Sequence, residues 1–206
     1  GLTMGLSGCI EIVEEITINE DGSGKISFGV DLGVLGQMLG GKSGDNVKGK
    51  IADEMKKLPR VLAEKLTGNK GITNIVPTID NDKGVFKISF FFKDSDNLNK
   101  SIYKIAGKEY NSLMPDVIKI KKHRARMRNM VPLIKYYLNK NAEKDADEKI
   151  YTMVSFRTTV HFPYKVRHIS NRRAILSDEE KTATLKYTLA EIRKGEVSTG
   201  FHARFR

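Results

Sequence analysis

Residues 10–32 read IEIVEEITINEDGSGKISFGVDL, and this stretch sets the fold class. Ile10 and Ile12, then Ile16 and Ile18, alternate with polar residues, and Asn19-Glu20-Asp21-Gly22-Ser23-Gly24 is a turn cluster. Lys25 to Leu32 returns with period two, placing Ile26, Phe28, Val30 and Leu32 on one side. Alternation, turn and alternation predict a β-hairpin over 10–32. Glu11, Glu14 and Glu15 read as solvated positions at the start of the first strand.

Downstream, residues 33–44 hold five glycines and break the pattern. Val47, Ile51, Met55, Leu58, Leu62 and Leu66 recur at three- and four-residue steps, predicting a helix from Asp45 to Leu66 with Gly68 as its cap. Pro59 predicts a kink or a division into two shorter helices. A second hairpin pairs Ile72–Asp80 with Val85–Phe92, with Phe91 turned outward, and Asp94 caps a helix reaching Ala106. The C-terminal block reads as strands at Ile150–Phe162, Tyr164–Ile169, Thr182–Leu189 and Gly200–Arg206. Hairpins and helices without strict βαβ alternation predict an α+β fold: antiparallel hairpins and a C-terminal strand block packed with two or three helices. The chain from Cys9 to Arg206 forms one domain, or two subdomains over 9–110 and 111–206.

The 206 residues are enough for a real core, and 39% hydrophobic with 30% charged residues stays clear of the disordered range. A single cysteine excludes an internal disulfide framework and a Cys-rich zinc site. No window approaches the roughly 18–20 apolar residues of a membrane-spanning helix. The net charge of +11 suits an anionic partner: nucleic acid, a lipid surface or an acidic polymer.

The chain opens Gly1-Leu2-Thr3-Met4-Gly5-Leu6-Ser7-Gly8-Cys9, small or apolar throughout and ending on the sole cysteine. Leu6-Ser7-Gly8-Cys9 resembles the lipobox of bacterial lipoproteins. Small residues there give a signal peptidase access to the backbone, and the Cys9 thiol is the nucleophile that accepts diacylglycerol. By this resemblance residues 1–8 are the end of a signal peptide, whose basic start lies upstream of Gly1, and Cys9 is the acylated first residue of the mature chain. The other reading of this stretch is an apolar lead-in strand with a buried free cysteine. With the turn Asn19-Glu20-Asp21-Gly22-Ser23-Gly24, and with His161-Phe162-Pro163-Tyr164-Lys165-Val166 followed by Ser170-Asn171, the chain resembles a group of uncharacterised envelope lipoproteins of Gram-negative bacteria. The resemblance implies export, attachment to a membrane through Cys9 and palmitate-type acyl chains, and a β-rich domain facing the periplasm or the cell surface. Ile10, where inner-membrane lipoproteins commonly carry Asp, favours the outer membrane. The family brings no activity and no catalytic residues.

Gly36-Gln37-Met38-Leu39-Gly40-Gly41-Lys42-Ser43 matches the P-loop pattern, in which backbone N–H groups, the Lys and the Ser hold phosphates and magnesium. Its context is wrong in two ways: Gly44-Asp45-Asn46 starts the helix too late, and the preceding strand belongs to an antiparallel hairpin. A glycine-rich loop is the favoured reading, and a nucleotide-binding protein the alternative.

Lys119-Ile120-Lys121-Lys122-His123-Arg124-Ala125-Arg126-Met127-Arg128 holds six Lys/Arg and no acid. A helix would align Val117, Ile120, Met127 and Val131, interrupted by Arg124; a strand would need a bulge near Lys122. Lys119, Lys121, Lys122, Arg124, Arg126 and Arg128 are the candidate contacts to an anionic lipid or protein partner. The same residues would serve a nucleic-acid-binding protein, a reading disfavoured because no aromatic residue in the run could stack a base. The histidines at 123, 161, 168 and 202 lack metal-ligand spacing, and nothing assembles a nucleophile, base and orienting group. The sequence therefore points to a binding or structural module, not an enzyme, with no metal and no cofactor.

Overall fold

The computed structural model describes residues 10–33, 47–111, 113–140 and 148–206. The fold is α+β: two β-sheets and, among the described residues, five helices. The strands are β1 (Ile10–Ile18), β2 (Gly24–Asp31), β3 (Ile72–Asp80), β4 (Val85–Phe92), β5 (Ile118–Lys121), β6 (Arg124–Met127), β7 (Val154–His161), β8 (Val166–Ile169), β9 (Ile175–Leu176), β10 (Thr182–Thr188) and β11 (Phe201–Phe205). The helices are α1 (Val47–Leu66), α2 (Ser95–Ile105), α3 (Val131–Lys140), α4 (Glu148–Met153) and α5 (Leu189–Lys194).

The larger sheet has the order β3-β4-β2-β1-β7-β10-β9, antiparallel except where β1 lies parallel to β7. Both predicted hairpins are present, and their alternating residues do what period two requires. Ile16, Ile26, Phe90, Val160 and Ala183 fall in register across five strands on the inner face, all buried. The smaller sheet, β5-β6-β11-β8, is antiparallel and turns Ile118, Ala125, Met127, Val166, Phe201, Ala203 and Phe205 inward. Phe162, just past β7, joins the layers: its ring lies 5.2 Å from that of Phe205 and 6.4 Å from that of Phe201. Each fully buried side chain of this kind contributes about 1.5–3 kcal/mol of transfer free energy.

Helix α1 packs on β3 and β4, and α2 packs beside α1 and against β5. Buried Asn99 of α2 ties that helix to the smaller sheet. Its Nδ2 donates to the Ile118 carbonyl (2.7 Å), and its Oδ1 accepts from the N–H groups of Val117 (2.9 Å) and Ile118 (3.1 Å). Asp94 caps α2 by accepting from the Asn97 N–H, as its sequence predicts.

Three expectations need correction. Pro59 does not divide α1, which runs as one 20-residue helix; the proline is buried while Leu58 is exposed, so the covered stripe passes through Pro59, Leu62 and Leu66. The segment 150–153 is the end of α4, not strand, and β7 begins at Val154. The basic run forms neither a helix nor a bulged strand: Lys122 and His123 make a two-residue turn between β5 and β6.

Candidate anion-binding face

The hairpin explains how a run with no clean periodicity folds. Alternation along β5 turns Ile118 and Ile120 inward and Lys119 and Lys121 outward. The turn then resets the parity, so β6 turns Ala125 and Met127 inward and Arg124 and Arg126 outward. The neighbouring β11 repeats the pattern with Phe201, Ala203 and Phe205 inside and His202 and Arg204 outside. On β8, His168 joins the same outer face.

Register organises these side chains into two rows across the strands. One row is Lys119–Arg126–His202, and the other is Lys121–Arg124–Arg204–His168. Directly opposed side chains lie about 4.5–5.5 Å apart at Cβ, and like charges so placed repel. The face forms a shallow hollow of about 480 Å³. Among the described residues one acid tempers it. Asp116 accepts from Lys119 Nζ (3.2 Å) and from the Tyr110 hydroxyl (2.6 Å). The Tyr110 bond, with Lys119 and Arg126 nearby, holds the Asp116 carboxyl below the usual carboxylate range, and the same bond pushes Tyr110 up to about 12. Lys121, Arg124 and Arg204 have no carboxylate partner among the described residues.

Of the six predicted contacts, four (Lys119, Lys121, Arg124 and Arg126) share this face. Lys122 sits in the turn at its rim, beside His123, whose ring is 5.9 Å from that of Tyr164. Arg128 continues past β6, its N–H donating to the Val117 carbonyl (2.8 Å), and lines a separate hollow with Tyr103 and Leu133. Sequence reading missed His168, His202 and Arg204. The alternation Phe201-His202-Ala203-Arg204-Phe205 was the available signal for two of them, whereas His168 is brought in by pairing alone.

Some charged groups on the larger sheet are arranged differently. On the outer face of the larger sheet, Arg157 pairs with Glu11 (2.9 Å), and His161 bridges Glu15 (2.8 Å) and Thr182 (3.0 Å). Glu14 corrects the expectation of a solvated acid, because the parity of β1 turns it to the inner face in register with Phe28 and Thr158. Burial pushes its carboxyl above the ordinary value, against a hydrogen bond donated by Thr158 Oγ1 (3.2 Å). Among the described residues no three His, Cys, Asp or Glu side chains converge on a metal position. Cys9 and the P-loop-like segment 36–43 lie outside the described residues. The strand before that segment, β2, is antiparallel to both of its neighbours.

No family model matches the chain, and no curated protein matches it. Among solved structures it is similar to the folded domain of LppM from Mycobacterium tuberculosis, determined by NMR, at 13% identity and a TM-score of 0.42, over 100% of this chain and 95% of that one.

Proposed function

We propose that this is a lipid-anchored protein of the cell envelope that works by binding: Cys9 tethers it to a membrane, and the outer face of β5-β6-β11-β8 holds an anionic partner. The observation that carries the binding half is the pair of rows, in which like charges oppose one another across three strands and, among the described residues, Asp116 alone offers a carboxylate to five Lys and Arg side chains. Such a face gains from a bound anion what it lacks in internal partners. The anchoring half rests on the lipobox-like Leu6-Ser7-Gly8-Cys9, with β1 starting at the very next residue. Two or three acyl chains at about 0.8 kcal/mol per buried CH₂ hold a protein stably on a bilayer. Ile10 after the cysteine supports the outer membrane as its destination.

The test is intact mass and membrane fractionation of the full-length gene product in a Gram-negative host. A chain starting at Cys9 with added acyl mass, released to the soluble fraction by Cys9→Ala, is the expected result. An unmodified soluble chain retaining Gly1 to Gly8 overturns the anchor and returns Lys42 to consideration as a phosphate ligand.

A further inference from the structure

We infer that the partner of the basic face is a linear phosphate chain, of the polyphosphate or phosphodiester kind, gripped through its backbone charge and lying across the strands. This rests on the anion-binding reading above and names its ligand. The rows run perpendicular to β5, β6, β11 and β8, so a chain laid along one meets a Lys, Arg or His side chain at each strand. Lys121–Arg124–Arg204–His168 covers three interstrand steps, about 14 Å at about 4.8 Å each. A single phosphate occupies one step of this track; a chain occupies all of it. Arg124, Arg126 and Arg204 add planar guanidinium groups that engage phosphate oxygens two at a time.

Two further observations set such a chain apart from a bilayer surface and from a strand read by its bases. All seven outward side chains of the rows are Lys, Arg or His, with no apolar or aromatic residue among them. A surface that enters a bilayer carries Trp, Phe or Leu beside its charges, and one that reads bases carries stacking rings. The face is also remote from the proposed anchor. Gly22, in the turn at the far end of β1, lies against the inner side of the smaller sheet, its Cβ position 3.9 Å from Ile120 Cγ2. From Ile10 to Ile18 is eight steps of about 3.3 Å, about 26 Å, against a Debye length of about 8 Å at physiological salt. The face therefore stands about three screening lengths along β1 from Ile10, beyond the field of headgroups at an anchor on the preceding residue.

The test measures binding of the full chain to inorganic phosphate, tripolyphosphate, longer polyphosphates of defined length, a uridylate oligomer and phosphatidylglycerol vesicles. Affinity is expected to rise with polyphosphate length until the chain spans the face. With the three Lys and Arg side chains of one row engaged, the slope of log affinity on log salt is about −2.1, roughly a 20-fold loss between 50 and 200 mM. Arg124→Gln with Arg204→Gln should weaken binding at least tenfold. Lys25→Gln with Lys87→Gln, an equal charge change on the outer face of the other sheet, should weaken it less than twofold; equal losses would mean net charge alone and overturn the assignment. Vesicle binding without polyphosphate binding would overturn the chain ligand while leaving the basic face standing as an anion site. Much tighter uridylate than polyphosphate binding at equal charge would replace the chain with a base-reading site. Binding of no probe would end both this inference and the anion-binding reading.

Discussion

Glu14 lies in surroundings that do not suit its charge. It lies on the inner face of β1 between Phe28 and Thr158, and burial raises its carboxyl above 4.5. The folded chain therefore holds this proton more tightly than the unfolded one. Its contribution is fully present below about pH 4.5 and is lost as pH rises from there through the raised folded value. Glu14→Gln keeps the shape and removes the ionisation. Urea denaturation should give similar stabilities for both proteins at pH 4 and a variant more stable by about 1 kcal/mol at pH 8. A constant difference across that range would show that folding does not shift the Glu14 carboxyl. Asp116 has the opposite sign and a functional position. Held low by Tyr110, Lys119 and Arg126, its carboxylate takes charge away from the basic face. Asp116→Asn should lower the Tyr110 midpoint from about 12 toward 10.0, visible as earlier phenolate absorbance, and raise polyphosphate affinity severalfold. An unmoved Tyr110 midpoint would mean that the 2.6 Å bond does not persist in solution.

The elements that carry the site are held by one buried amide. Asn99 satisfies three backbone groups of Val117 and Ile118 at the start of β5, so α2 sets where the basic hairpin lies. Asn99→Ala leaves those groups without partners in a buried setting and should destabilise the fold by about 2–3 kcal/mol in chemical denaturation. Gly24 is a similar constraint at the hairpin that opens the fold. A Cβ there would stand 2.1 Å from the Thr17 carbonyl oxygen and 2.5 Å from the Phe92 ring, so Gly24→Ala should cost about 1–3 kcal/mol through forced strand separation. An unchanged denaturation midpoint would show that the strands part freely. What was legible in the sequence follows the same division. The hairpins β1–β2 and β3–β4 announce themselves because alternation is clear in β2 and β4 and the turns hold Gly, Asn and Asp. The β5–β6 hairpin does not, since its turn is Lys122-His123 and parity reverses within a run of cations. Ile150-Tyr151-Thr152 looks like strand by composition, yet α4 packs against α5, a contact invisible to local propensity. Three of the seven side chains were hidden for a related reason: His202, Arg204 and His168 join Arg126 and Arg124 only through pairing between segments far apart in the chain.

On the scale of the whole molecule, a net charge of +11 would be a diffuse property if its cations were evenly matched. On the outer face of the larger sheet Arg157 has Glu11 and His161 has Glu15. On the smaller sheet Arg124 and Arg204 oppose each other instead, so a concentration of cations without carboxylate partners among the described residues stands where the fold brings its middle and its C-terminus together. β1 connects that concentration to the proposed anchor, central in the larger sheet and parallel to β7, with Ile10 at one end and the smaller sheet's inner side at the other. An orientation follows that neither end implies alone: with Cys9 in a bilayer, the basic face looks past the membrane that holds it. Acylated protein in neutral vesicles and the soluble Cys9→Ala chain should then bind polyphosphate with affinities within about twofold, because a charge about 26 Å away is screened out by a Debye length of about 8 Å. Adding phosphatidylglycerol to the vesicles should leave that affinity unchanged at physiological salt. Suppression by the anionic lipid would mean that the domain lies down on its own membrane, and that β1 runs along the surface instead of standing away from it.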